Sequence, residues 1–274
     1  MKANATGVYA GYLFVPVPTR ASSEPVRVHV ASANTRWATE LCIRSMFRRA
    51  GYPFELVVGE GGSLDGSLKM LRRFQRRGLL RLEVAPWWRQ HFEWLDHWSA
   101  ECPTRYAVFS DSDVQFRASG WLSDMVRVAK EERAALVCAV FHPAHPGYVH
   151  PATGQTVRLA GRPCAWLFLL DLEQVRPLGT GFAPVLVDDD SVPEGHVAYD
   201  TGARLFVALE QAGLHWAQMP PAWVEDKAHH FGGLSWLRWS PHLKNLRKRL
   251  QLAEIRARAI ASRFGHPLAV AGDS

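Results

Sequence analysis

TRYAVFSDSDVQF, residues 104–116, begins as an apolar, β-prone run (Tyr106, Ala107, Val108, Phe109) and breaks at Asp111-Ser112-Asp113. Ionised carboxylates are costly inside a core, and two at this spacing repel each other. A pair at the end of a buried strand therefore needs something positive between them. Aspartates at i and i+2 can offer hard oxygen ligands to Mg²⁺ or Mn²⁺, cations that usually keep waters and phosphate oxygens in the rest of their shell. The same triplet also suits a turn whose side chains cap backbone N–H groups. Its place in the fold has to decide between the two.

The residues around it alternate between two periodicities. VRVHVAS (26–32) has period two and predicts a first strand; residues 34–51 predict a helix closed by Gly51. PFELVVGE (53–60) predicts a second strand, followed by the Gly-rich loop GEGGSLDGS and a helix over 68–78. A third strand (79–86), a helix (88–102), the strand RYAVFS (105–110), a helix over 121–132 and a strand over 134–141 follow. Strands and helices in alternation, joined by short connections, predict a doubly wound, mostly parallel α/β sheet. Ligands gather at the carboxyl ends of such strands, so Asn34, Glu60, Asp111 and Asp113 are expected to line one crevice.

Beyond Phe141 the pattern loosens. Residues 142–164 are rich in Pro, Gly and His and predict an irregular excursion or hairpin; AWLFLLDLEQV (165–175) resumes a strand and a short helix. Residues 179–199 read as a long loop, and Asp200 as the N-cap of a helix ending before Gly213. LHWAQMP is a short strand, and VEDKAHHFGGLSWLRWS a loop holding His229 and His230.

The chain has 274 residues, 47% hydrophobic and 21% charged, as expected of a globular protein with ample core. No apolar run reaches the roughly 18–20 residues of a membrane span. Residues 1–25 are expected to be a loosely ordered lead-in rather than an export signal. Cys42, Cys102, Cys138 and Cys164 form no C-x-x-C pair and are expected as free thiols of a reducing, cytoplasmic compartment. The net charge of +6 is carried by the segment 244–263, where seven basic residues face only Glu254. With Leu243, Leu246, Leu250 and Ile255 near helical spacing, residues 241–274 predict a basic amphipathic helix and tail. It is expected to pack on the body through its leucines, and contact with anionic lipid at the inner face of a membrane is the sharper alternative. No recognition motif accompanies the charge, so nucleic acid is not an expected partner.

Three weak motifs agree in order. Ser32 to Asn34 (in ASANTRW), Glu60 to Ser67 and Asp111 to Asp113 together resemble the family 2 glycosyltransferases with the GT-A fold. In these a strand leads to a polar loop with Asn, a second strand enters an Asp-Asp-Gly-Ser-x-Asp-Gly-type segment, and a later strand ends in D-x-D. The chain departs at Glu60-Gly61, where the family commonly has two Asp. The resemblance implies a GT-A (Rossmann-like) domain over 26–240, its nucleotide-sugar half at 26–116 and its acceptor half at 117–240. Ser32, Asn34, Arg36, Glu60, Asp65, Asp111 and Ser112 would bind a nucleotide sugar, expected to be a UDP-sugar. Asp111, Asp113 and His230 would hold Mn²⁺ or Mg²⁺. Asp200 would be the catalytic base, with Glu194 and Asp188-Asp189-Asp190 as rivals, in an inverting transfer to an acceptor hydroxyl. The alternatives are a nucleotidyltransferase, for which ASANTRWATE lacks the Gly-rich loop, and a non-catalytic carbohydrate-binding protein on the same fold. Trp87, Trp88, Trp94, Trp98 and Trp166 are candidate sugar platforms or core.

Overall fold

The computed structural model describes residues 8–9, 12–13, 25–150, 152–232, 234 and 246–264. Of the expected lead-in it places the short antiparallel pair Val8–Tyr9 and Tyr12–Leu13, and the rest lies outside the described residues.

The first half follows its periodicity. Strand β1 (Val26–Ser32) leads to helix α1 (Arg36–Arg49), β2 (Phe54–Glu60) to α2 (Ser67–Arg76), and β3 (Arg81–Val84) to α3 (His91–Glu101). Then come β4 (Tyr106–Asp111), the short β5 (Val114–Phe116), α4 (Trp121–Glu131) and β6 (Leu136–Cys138). Gly51, at φ 68°, turns the chain out of α1 as its position predicts. After an excursion, β11 (Leu167–Asp171) and, later, β14 (Trp216–Gln218) complete a seven-stranded sheet of order β14-β6-β11-β4-β1-β2-β3. Pairs β1–β2, β1–β4, β2–β3 and β6–β14 are parallel; β11 runs antiparallel to both its neighbours. The sheet is mixed and mostly parallel. The strand order reverses between β1 and β4, so a crevice opens at their carboxyl ends.

Both faces are covered. One face packs Val28, Val30, Met46, Leu71, Trp121 and Met125; the other packs Trp94, Trp98, Phe109, Phe168 and Leu205. Gly59 in β2 is where the tryptophans meet the sheet: a Cβ there would lie 2.7 Å from the Trp98 ring and 2.8 Å from that of Trp94.

The second half departs from expectation in three places. The supposed loop 179–199 contains a hairpin, β12 (Val185–Asp188) with β13 (His196–Tyr199), whose apolar signal is cut short by the acidic run at its turn. It joins β8 (His145–Val149) and β9 (Thr156–Leu159) in a small sheet, while β7 (Phe141–His142) pairs with β10 (Arg162–Pro163). The segment read as a histidine loop folds as α7 (Pro221–Lys227) and β15 (Ala228–His230), which pairs antiparallel with β5. Helix α6 (Ala203–Gln211) begins later than predicted: Gly202, at φ 83°, occupies its N-cap, and the Asp200 side chain does not cap it.

The C-terminal helix α8 (Leu246–Phe264) packs on α1, burying Ile255 and Ala259 against Ala38 and Leu41, together with Phe231 and Leu234. Three of its cations have partners on the body or the helix itself. Arg263 pairs with the buried Glu40 at 2.6 Å, Arg258 donates to Gln115 and pairs with Glu254, and Arg256 lies over the Trp37 ring. Leu243, Lys244 and the tail after Phe264 lie outside the described residues. All four cysteines are free.

Candidate active site

The opening stretch ends where the sheet order reverses. Asp111 is the last residue of β4, paired in register with Ala31 of β1, and Ser112-Asp113 turn the chain into β5. Buried hydroxyls fasten this turn: Ser112 Oγ to Thr35 at 2.8 Å, Thr35 to Thr39 at 3.0 Å, and Thr39 to Ser32 at 3.0 Å. Ser32 and Ser112 thus brace the triplet from beneath.

His230 reaches the carboxylates through β15. Its residue pairs with Val114, and the Phe231 N–H donates to the Asp113 carbonyl at 3.0 Å. The ring stacks on Trp166, with centroids 5.2 Å apart and planes 8° from parallel. Its Nε2 lies 3.1 Å from Asp113 Oδ1 and 3.5 Å from Asp111 Oδ2. Although buried, it makes no well-directed hydrogen bond to either. Burial opposes charge on this imidazole, yet the two carboxylates overcome it and push His230 up to about 9. Burial likewise disfavours the Asp111 carboxylate, and His91 and His230 hold its pKa below the ordinary value. Two imidazoles, those of His91 and His230, therefore lie against the carboxylate pair.

Ligand atoms of Asp111, Asp113 and His230 lie within 4.8 Å of one another. Two carboxylates and an imidazole nitrogen with no directed hydrogen bond suit a divalent cation of the Mn²⁺ or Mg²⁺ type. His229, the adjacent histidine, meets the edge of Phe231 instead.

The loop after β2 is built by the residues assigned to it, acting on one another. Glu60, 1% exposed, accepts from the Gly62 and Ser63 N–H groups at 3.1 and 2.6 Å. Asn34, at φ 54°, accepts from Leu64 N through its side chain, and its own N–H donates to Ser63 Oγ. Asp65 accepts from Arg36 N at 2.7 Å and from Ser67 N at 3.0 Å, so one carboxylate holds the first turns of α1 and α2 together. The Arg36 side chain lies across Gly66 and over the Trp37 ring. These residues shape the wall of the crevice between β1 and β2.

Asp200 stands at the end of β13. Its carboxylate accepts from Arg162 at 2.6 Å and from the Thr201 N–H at 2.7 Å. The Cys164 thiol is pushed up to about 11, chiefly by burial. Three of the rivals are engaged elsewhere: Glu194 with Gly147 and Arg158, Asp189 with Ser191, Asp188 with His196.

Three site residues escaped the sequence reading or stood in it under another role. His91, at the start of α3, lies 3.2 Å from Asp111; nothing in WRQHFEW marks it apart from its place after a strand. Arg162 pairs with Asp200 only because a second excursion brings β10 beside it. Trp166 orients His230. Among the other tryptophans Trp94 and Trp98 are core, whereas Trp87 and Trp88 stand exposed beside Gly62.

Comparison with known proteins agrees with this arrangement. The model of glycosyl transferase family 2 matches residues 28–166. Among solved structures, a mannosyltransferase from Pyrobaculum calidifontis, determined with GDP-Man and Mn²⁺, is 15% identical with a TM-score of 0.54 over 93% of this chain and 77% of its own. Glucosyl-3-phosphoglycerate synthase from Mycobacterium tuberculosis, with phosphoglyceric acid, is 17% identical with a TM-score of 0.50, covering 89% and 81%. No curated protein sequence matches. From a sheet that reverses at a strand-end carboxylate pair, and a family model matched from the first strand to Trp166, the chain belongs to glycosyl transferase family 2, with the GT-A fold and the nucleotide-sugar-dependent transferase activity of that family.

Proposed function

We propose that the protein is a metal-dependent, inverting glycosyltransferase that moves a sugar from a UDP-sugar to an acceptor hydroxyl. The observation that carries the reading is the convergence of Asp111, Asp113 and His230 from separate strands at the reversal of the sheet. Bound there, Mn²⁺ or Mg²⁺ would supply Lewis-acid neutralisation of the departing diphosphate. The chain's own residues do the rest. Residues 26–116 form the donor wall: Asn34, Arg36, Glu60 and Asp65 fix the loops of the crevice, and Ser32 and Ser112 brace the floor. His91 stands beside Asp111, on the side facing α3. Residues 117–240 supply the acceptor side, where Asp200 takes the proton of the attacking hydroxyl. Arg162 holds that carboxylate in place, which favours a base poised for one displacement.

Release of nucleoside diphosphate from UDP-sugars, followed with Mn²⁺ and with EDTA, tests the reading. Asp113→Ala is expected to abolish metal-dependent donor binding and hydrolysis while leaving the circular dichroism spectrum unchanged. Equal donor affinity with Mn²⁺ and with EDTA in the wild type overturns the metal assignment; no hydrolysis or transfer with any nucleotide sugar would favour a binding protein on the same fold. No described helix is long and apolar enough to cross a membrane.

A further inference from the structure

The segment 244–263 carries the net charge, yet a second basic surface stands on α2. Helix α2 buries Met70, Leu71 and Phe74 and exposes Lys69, Arg72, Arg73 and Arg76, with no acidic residue in its span. None of these four side chains makes an ion pair or hydrogen bond among the described residues, whereas three of the α8 cations are engaged: Arg263 with Glu40, Arg258 with Glu254 and Gln115, and Arg256 over Trp37. A groove of about 340 Å³ between α1, α2 and α8 extends the same surface, with Arg36, Arg44 and Arg263 around it. Glu40, the one carboxylate in its lining, is already held by Arg44 and Arg263. The chain is near neutral apart from its tail, and strongly polarised.

We infer that the exposed face of α2 is a docking surface for an anionic lipid bilayer. Four unpaired cations on one helix face match a plane of headgroup phosphates. Leu64, 74% exposed, projects from the loop that leads into the helix and can enter the headgroup layer. The helix keeps its apolar side in the core, so contact is electrostatic and reversible, and it falls with salt. Nucleic acid fits less well: the described residues of this face present no aromatic platform to bases. The loop 60–67 that walls the donor crevice is the root of α2, so docking would bring that crevice to the lipid surface; this consequence, unlike the docking itself, rests on the proposed transfer reaction.

Co-sedimentation with vesicles tests it. Wild-type protein should bind phosphatidylglycerol-rich vesicles at low salt and ignore phosphatidylcholine ones. The variant Lys69→Glu/Arg72→Glu/Arg76→Glu should lose about 100-fold in apparent affinity, and Arg72→Glu alone about fivefold, with about 1 kcal/mol for each basic residue at the surface. Arg249→Glu/Arg256→Glu on α8 should stay within about threefold, since these cations lie off the docking face. Mn²⁺-dependent donor hydrolysis should be unchanged in all variants, which separates docking from the transferase reading. Wild type that binds both vesicles alike or neither, loss of binding with the α8 pair and not with α2, or tighter binding to duplex RNA than to phosphatidylglycerol overturns the inference.

Discussion

Asp200 was legible as an acidic residue before a helical run, but the cap expected of it fails, because Gly202 takes the N-cap in a left-handed conformation that the sequence signals only as a glycine. The carboxylate is set by Arg162 instead, across a pairing 38 residues distant. Asp200→Asn therefore loses an ion pair rather than a cap, and at a half-exposed site this costs at most about 1 kcal/mol. Transfer is expected to fall by about two to four orders of magnitude, the usual share of a positioned general base. Donor affinity should persist, since Asp111, Asp113 and His230 are untouched, and the wild-type product should carry the opposite anomeric configuration to the donor. Near-normal turnover of this variant, measured by product formation, or a retained anomer would discard the single-displacement scheme. The proposed metal ligands show what a lone sequence reading can reach: the D-x-D was placed by its strand, while His230 needed a resemblance, since its strand pairing with β5 leaves no local signal.

At the level of elements, the first half was readable because each strand and helix had its own period and a clean stop, as with Gly51 after α1. The hairpin β12–β13 was not, for its apolar residues are few and its turn holds the acidic run at 188–190. The small strand β15 is three residues long and owes its existence to β5 rather than to AHH. In β2 the element carries a constraint that composition hides: Gly59 leaves room for the Trp94 and Trp98 rings that seat α3 on the sheet. Gly59→Ala should cost about 1–3 kcal/mol through overpacking, read as a lower urea midpoint with an unchanged slope. Full stability in this variant would mean that α3 shifts freely, and the packing account would fail.

Across the whole molecule, stability is tied to one imidazole at the centre. His29 of β1 is buried between Trp98 and Phe109, with neither ring nitrogen hydrogen-bonded. Burial, aided by Arg27, His97 and Arg81, lowers it from 6.5 to about 3. The unfolded chain takes up this proton below pH 6.5 and the folded chain does not, so stability is complete above that value and declines between pH 6.5 and 3. The slope should be about 1.4 kcal/mol per pH unit, and urea melts of His29→Phe should lack it; an identical slope in both would assign the acid sensitivity elsewhere. A feature of the same molecule bears on time. Asp113 and His230 are joined by a ribbon whose two strands, Val114–Phe116 and Ala228–His230, have β6, β11 and β14 of the main sheet between them in sequence. A chain emerging from the ribosome can complete β1 to β4 and their helices well before residues 228–230 exist, yet it has only the two carboxylates of the proposed cation site until then. Closing so long a loop is among the slowest steps in forming a sheet protein. A nascent chain is thereby kept from completing the proposed metal site until residues 228–230 have emerged.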